Sequence, residues 1–550
     1  MHSLQSTGWT HQETKRIAFV FLIAIAVCVP SLFWQNIPTR DSSLYALVSL
    51  EFSSGNFTNS FSPDLSPLLT TIGGSINYFV GHPFLSNQIA SILLFLPGVL
   101  GTYLLARELK GPKVAYVASI LYAVCPYTVE LATSGGVDAG KLGLLPWLVW
   151  ATLKWCDDGR LAWGLAVGFI GGVLSYARGE GFLFSVLALM VYLVSQLFSP
   201  AFRKRAQPFG KPVMSLLAAS VTMALVISPL LLYEHQQTGY FVTHPSQIRA
   251  YRLLDDLRSA FVREARASST TEAIGKDAAP KRQASTPKSE DLYQGVPWSK
   301  NIEKSIKGLY IPYLILILFA VVRHFNGSRC LTRRDLFPLI FIGLNFAIFF
   351  PTNICNARYF QSLIPLHLHL AAVGFVAAGT VLTDSFSFSQ RKIKILAILS
   401  FAVFALLAQK ECDFFRSSEK IKEAQALKMM GEWISRNRQK FPFYGTLSNS
   451  RAFHNGRIPI ILAPDFRICY YAQSDCVILP REKTLSAQWI INLCKKNKVS
   501  LLFYSDVIKE NNPDFDRYWP TDPAFQLLDT STIPLASDQG FGLIVFNHGS

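Results

Sequence analysis

Apolar runs long enough to cross a hydrocarbon core, about 17–25 residues each, recur along this chain from Ile17 to about Ala408. They predict a polytopic α-helical membrane protein with about eleven spans, near residues 17–34, 85–106, 114–131, 138–155, 162–178, 180–198, 213–233, 309–325, 335–351, 359–382 and 392–408. Composition agrees: hydrophobic residues make up 50% of the chain and charged residues only 16%, a balance that suits lipid rather than water. Lys15 and Arg16 precede the first run, but Pro30, Trp34 and Gln35 follow it instead of the small residues of a cleavage site, so it reads as a retained anchor.

The net charge of +16 would suit a nucleic-acid binder only if it formed a patch. Its Lys and Arg residues instead occupy alternate short loops and set topology. One set of loops holds Arg107, Lys110 and Lys113; Lys154 and Arg160; Arg203, Lys204, Arg205 and Lys211; Arg323, Arg329, Arg333 and Arg334; and Arg391, Lys392 and Lys394. Because basic residues accumulate on the cytoplasmic side, the segments 35–84 and 234–308 and everything after Gln409 lie on the outer face. Four basic residues break the pattern at the outer ends of predicted spans: Arg40 beside Asp41, Lys141 one turn after Asp138, Arg178 next to Glu180, and Arg358 before Tyr359. Ionisable groups at such depth are costly unless paired or turned toward a polar cavity. Interfacial snorkelling or local pairing would account for them singly; their concentration on one face favours a shared outward-facing pocket.

Three regions outside the spans differ in character. The loop 35–84 carries two amphipathic stretches, DSSLYALVSLEF from Asp41 and SPLLTTIGGSINYFVG from Ser66, short enough to be interfacial helices, with Asp41 expected to cap the first. The segment 234–308 turns charged at Arg249–Arg266 and then rich in Ala, Ser, Thr, Lys and Pro, the composition of a mobile flap. After Gln409 the pattern is that of a small soluble α/β domain: helices over 418–436 and 485–495, extended runs near 443–447, 458–462 and 499–504, and a terminal hairpin within 525–546. The division expected is thus a membrane domain, 1–408, and an outer domain, 409–550.

Nine cysteines are scattered without a C-x-x-C pair, so no metal cluster or catalytic thiol is indicated. Cys469 and Cys476 flank the turn-like Gln473-Ser474-Asp475, and an oxidising compartment would permit a bridge between them. No Walker loop, H-E-x-x-H helix or dinucleotide fingerprint occurs. His367 and His369, two apart on a predicted helix, read as packing residues rather than metal ligands.

Several stretches together carry a family resemblance: RDSSLYALVSLEF and SPDLSPLLTTIGG in the first outer loop, GGVDAGKLGLLPWLVW opening the fourth span, GFIGGVLSYARGEGFLF closing the fifth, and NARYFQSLIPLHLHL opening a late one. In order and side of the membrane the chain resembles the GT-C superfamily of membrane glycosyltransferases, of the protein mannosyltransferase and lipid A aminoarabinose transferase type, over essentially its whole length. It differs in having Asp-Ser where many relatives have Asp-Glu. Ser62, Asp64 and Ser66 stand where relatives carry a basic residue, so phosphate binding would fall on Arg178 and Arg358.

The resemblance implies transfer of a sugar from a polyprenyl-phosphate donor to a hydroxyl acceptor on lipid, glycan or protein, with inversion, at the outer face of a bacterial inner membrane. An alcohol needs a base at neutral pH, and Asp41 is the first candidate. Asp138 could orient the acceptor, share that role or join Asp41 around a divalent cation. Arg358 is the first candidate for the leaving phosphate, with Arg178, Lys141, Tyr359 and Glu180 around it. Two other classes compete. A lipid-linked glycan transporter or flippase would place its charges at mid-depth and show internal repeats; a surface-polysaccharide polymerase or ligase would put its chemistry in Arg249–Arg266.

Overall fold

The computed structural model describes residues 10–34, 37–57, 67–198, 210–239, 241, 298–328, 331–349, 357–386, 390–414, 418–441, 459–479, 486–505, 512–528 and 541–548. The expected strand at 443–447, the loop residues 58–66 and the Arg249–Arg266 stretch lie outside them. The first helices in chain order are α1 (His11–Trp34), α2 (Arg40–Ser53), α3 (Pro67–Val80), α4 (Pro83–Lys110), α5 (Pro112–Val124), α6 (Pro126–Thr133) and α7 (Asp138–Asp158). There follow α8 (Leu161–Ala177), α9 (Gly181–Phe198), α10 (Gly210–Thr238), α11 (Trp298–Gly308), α12 (Ile311–Arg323), α13 (Phe337–Phe349), α14 (Ala357–Gln361), α15 (Ile364–Phe386) and α16 (Gln390–Phe414).

Among the described residues, five helices are long and apolar enough to cross a membrane: His11–Phe33, Pro83–Lys110, Gly181–Phe198, Lys211–Gln236 and Ile364–Thr383. Two bent pairs raise the number to seven. One was expected as a single span, 114–131; it breaks by 55° between α5 and α6, where Pro126 can neither continue the hydrogen-bond ladder nor tolerate a helical residue before it. The other turns by 82° between α11 and α12, at Tyr310 with its φ of +66°. The remaining expected spans correspond to α7, α8, α13 and α16, which are shorter or more charged. Both amphipathic stretches of the first outer loop are helices, α2 and α3.

The chain forms two compact units: Met1–Ser62, Ser66–Leu144 and Ala378–Ser550 make the first, and Pro63–Leu65 with Leu145–Ala377 the second. In the first, α4 ends in Arg107 and Lys110 beside Gly111, whose φ of +84° needs glycine, and Pro112 then opens α5 at the position where a missing N–H costs nothing. Glu13 of α1 is pinned to α4 by Arg107 Nε (2.9 Å) and by the Tyr103 hydroxyl (3.1 Å). In the second, Trp155 of α7 stacks on Tyr192 of α9 at 3.6 Å between ring centres and donates from Nε1 to Ser215 Oγ of α10 (2.7 Å).

The C-terminal part of the first unit is an α/β domain. Its elements are α17 (Ser418–Arg436), β1 (Ile460–Ala463), α18 (Phe466–Ala472), β2 (Asp475–Ile478), α19 (Ala487–Lys496), β3 (Leu501–Tyr504), α20 (Pro513–Tyr518), β4 (Phe525–Leu528) and β5 (Gly542–Phe546). The strands lie in the order β2-β1-β3-β5-β4, with β1 parallel to β2 and β3, and β5 antiparallel to β3 and β4. Alternation along the strands divides the core. Ile461, Leu501, Phe503, Leu543 and Val545 face Leu427, Met430 and Ile434 of α17, whereas Ile460, Leu462, Leu502 and Ile544 face Ile490 and Cys494 of α19. The expected helices, two of the expected strands and the terminal strand pair are all present; α18, β2 and α20, each seven residues or fewer, are too short for a periodic signal.

Cys469 and Cys476 are bridged, their Cα atoms 5.7 Å apart. The bridge ties α18 to β2. Arg467 on the same helix pairs with Asp465 and Glu423, both at 2.8 Å. Burial works against its charge, but hydrogen bonds and attraction from those carboxylates outweigh it and hold the guanidinium above its usual range.

Candidate active site

Asp41 does not cap α2. Thr39 does, its Oγ1 accepting from the Ser42 N–H (3.2 Å), because the helix begins at Arg40, two residues earlier than a cap at Asp41 would allow. Asp41 therefore stands in the first turn with its side chain exposed, where the positive end of the helix dipole favours a carboxylate. Its neighbour Ser42 is buried; Ser42 Oγ meets Thr39 Oγ1 at 2.8 Å and donates to the Ser134 carbonyl at 2.5 Å. That bond ties the start of α2 to the turn that opens α7, whose first residue is Asp138.

The turn is fixed from a third side. Gln88 Nε2 of α4 donates to the Thr133 carbonyl (2.9 Å), and Ser91 Oγ to that of Gly136 (3.3 Å). Gly135 takes a φ of +66°, and a Cβ there would stand 3.3 Å from the Phe84 ring; the turn needs glycine for its shape and its clearance. Ser49 Oγ of α2 donates to Asn87 Oδ1 of α4 at 2.7 Å, and Asn77 Nδ2 of α3 donates to Ser53 Oγ of α2 at 2.8 Å. Asp41 and Asp138 thus sit on elements that one helix, α4, positions together.

Asp138 is 2% exposed and Lys141 fully buried. Ionised groups at such depth require partners, and their i, i+3 spacing sets them on one side of α7. The helix reaches this depth because Gly143 lets α7 touch α4: a Cβ there would fall 1.8 Å from the Leu94 carbonyl oxygen. The Tyr122 hydroxyl of α5 reaches the Phe95 and Leu142 carbonyls, both at 3.3 Å.

The second unit gathers the other named residues. Arg178 ends α8 in extended conformation; its Nε donates to Glu180 Oε1 (3.1 Å), and its guanidinium carbon lies 5.4 Å from the centre of the Tyr359 ring. Ion pair and cation–π contact fix one guanidinium from two directions. Arg358, half-buried, is next to Tyr359 on α14. Asn345 Nδ2 and Ser362 Oγ both donate to the Tyr359 carbonyl, at 3.4 and 3.2 Å, and Gly308 of α11 packs where a Cβ would fall 2.4 Å from the Ala357 carbonyl oxygen. The first unit accordingly carries Asp41, Asp138 and Lys141, and the second carries Arg358 and brings Arg178, Glu180 and Tyr359 into contact.

Thr39, Ser42 and Ser134 were not singled out from sequence, although a Thr just ahead of a helical stretch is a capping signal. No three His, Cys, Asp or Glu side chains among the described residues converge as a metal cage. A divalent cation held by Asp41 or Asp138 would draw most of its ligands from phosphate and water, as Mg²⁺ commonly does. His367 and His369 are buried in the interior, with His369 Nε2 3.2 Å from the Asp335 carbonyl oxygen.

The chain has the fold of the GT-C membrane glycosyltransferases. Residues 65–233 match the family of dolichyl-phosphate-mannose-protein mannosyltransferases, a stretch that contains Asp138, Lys141, Arg178 and Glu180. No curated protein matches the chain in sequence. Among solved structures, ArnT from Cupriavidus metallidurans in the apo state is similar with a TM-score of 0.55 at 13% identity, over 97% of this chain and 98% of that one. The same ArnT bound to undecaprenyl phosphate gives 0.54 at 14% identity, over 99% of both chains. The oligosaccharyltransferase AglB from Archaeoglobus fulgidus, in complex with an inhibitory peptide and a dolichol-phosphate, gives 0.50 at 12% identity, over 91% of this chain and 70% of that one.

Proposed function

We propose that the protein transfers a sugar from a polyprenyl-phosphate donor to a hydroxyl acceptor, at the outer face of a bacterial inner membrane, with residues 409–550 forming an extracytoplasmic domain. The observation that carries this is the bond from Ser42 to the Ser134 carbonyl, which holds the helix bearing Asp41 against the turn that opens the helix bearing Asp138. Similar structures bound to undecaprenyl phosphate and dolichol-phosphate support the donor class. The disulfide in the C-terminal domain suits an oxidising compartment.

In this reading the acceptor O–H loses its proton to the Asp41 carboxylate as the oxygen bonds to the anomeric carbon. The bond from that carbon to the phosphate oxygen breaks on the opposite face, and its electron pair leaves with the lipid phosphate. Arg358 and Arg178 stabilise the charge that grows there, with Lys141 as a further cation for the phosphate, and Glu180 and Tyr359 hold Arg178 in orientation. The proton on Asp41 then passes to water. Asp41→Asn removes the base while keeping the shape, and with a radiolabelled polyprenyl-phosphate sugar in membranes the expected loss in transfer rate is about 10²–10⁴-fold. Transfer at the wild-type rate would overturn the assignment.

A further inference from the structure

A polar cavity lies within the first unit, between the first outer loop and the α/β domain. It has a volume of about 440 Å³, inside the range of about 300–1,000 Å³ typical of small-ligand sites. One side is built from Pro38, Leu50 and the His82–Phe84 turn; the other is built from α17 and the end of α18. On α17 the lining residues are Lys428, Glu432, Ser435 and Arg436, whose spacing puts them on one helical face, opposite the face that packs on the sheet.

The lining combines three kinds of recognition. Tyr470 and Tyr471 offer rings, the Tyr471 ring with Lys428 Nζ 5.8 Å from its centre. Glu432 offers a carboxylate and Ser435 a hydroxyl. Arg436 lies 3.6 Å from Glu432 with a side chain 79% exposed, so a five-donor guanidinium engages its neighbour only loosely. Rings that stack on the C–H faces of sugars, beside acceptors and donors for their hydroxyls, suit a glycan. Two cations against one carboxylate favour a glycan that is acidic. A lipid tail finds no continuous apolar wall here.

The wall is also preorganised. Tyr470, Tyr471 and Gln473 all fall between Cys469 and Cys476, inside the loop that the disulfide closes. Gln473 is held left-handed at a φ of +49°, and its Oε1 accepts from Arg438 Nη2 at 2.7 Å. That left-handed residue is the cap that ends α18, so the helix terminus fixes where the loop sets its side chain. Gly431 seats α17 on α18, since a Cβ there would fall 2.5 Å from Tyr471 Cβ.

We infer that this cavity binds an acidic oligosaccharide, one bearing a carboxylate or phosphate on a sugar; naming it the glycan part of the acceptor rests on the transfer reaction proposed above. Titration calorimetry on the full chain in phosphatidylcholine nanodiscs, with neutral, uronate-bearing and phosphate-bearing oligosaccharides as probes, tests it. Both acidic probes should bind about ten-fold more tightly than the neutral one, and Lys428→Gln with Arg436→Gln should abolish that preference while leaving neutral binding unchanged. Cys476→Ser should weaken all probes severalfold by loosening the loop. A wild-type protein that binds none of them, or variants that bind as wild type, would overturn the inference. Tight binding of one acidic probe over the other would identify the charged group as carboxylate or phosphate. Asp41→Asn should keep full glycan binding while losing transfer; a wild-type protein that binds glycan but transfers no sugar defeats the transfer reading alone.

Discussion

Two guanidinium groups carry the proposed phosphate contact, and their surroundings differ. Arg178 is braced by Glu180 and Tyr359, so Glu180→Gln should lower kcat about ten-fold with little change in KM, because it disturbs orientation rather than binding. Arg358→Ala should cost about 10²–10³-fold in kcat/KM with the lipid donor, and Arg358→Lys should recover only part, since an ammonium lacks the paired donors. Within the first unit, Glu13 accepts from both Arg107 and Tyr103. Glu13→Gln should therefore destabilise the protein by roughly 2–3 kcal/mol, read as earlier thermal unfolding in detergent with transfer per folded molecule unchanged. The scarcity of outer basic residues is what singled out Arg178, Arg358 and Lys141 in the sequence. Thr39 was not singled out because Asp41 is an equally good cap by type; which of them caps depends on where the helix starts, a matter of two residues.

Helices met the eye in the sequence and their contacts did not. Spans and interfacial helices follow from apolar length and period, and α17 has the expected limits. The break at Pro126 had a local cause that the length of the apolar run outweighed. What positions Asp138 is subtler: a glycine at 143 admits the Leu94 carbonyl, and glycine in an apolar run leaves no periodic trace. Gly143→Val should push α7 off α4, lowering both the yield of folded protein and the transfer rate of what remains, whereas Gly55→Ala, where the space is open, should cost only the strain of its φ. Size-exclusion profiles and thermal unfolding of the two variants separate a packing clash from a turn effect.

For the whole molecule the topology is the most exposed expectation. Cysteines placed at the exposed Lys113 and Lys496 should behave oppositely in intact cells, with Lys496→Cys labelled by a membrane-impermeant maleimide and Lys113→Cys labelled only after permeabilisation. Equal labelling of both would overturn the orientation. Fold class was readable because lipid imposes a coarse code of length and charge; the assembly of a pocket was not, because it depends on which small residues let backbones meet.

The stitch between Ser42 and Ser134 joins two stretches separated by 92 positions. Homologous exchange of the first outer loop on its own would bring in a helix cut to fit another protein's turn. Chimaeras among distant relatives should therefore respect a paired module, in which residues 39–53 and 133–138 travel together and diverge in concert.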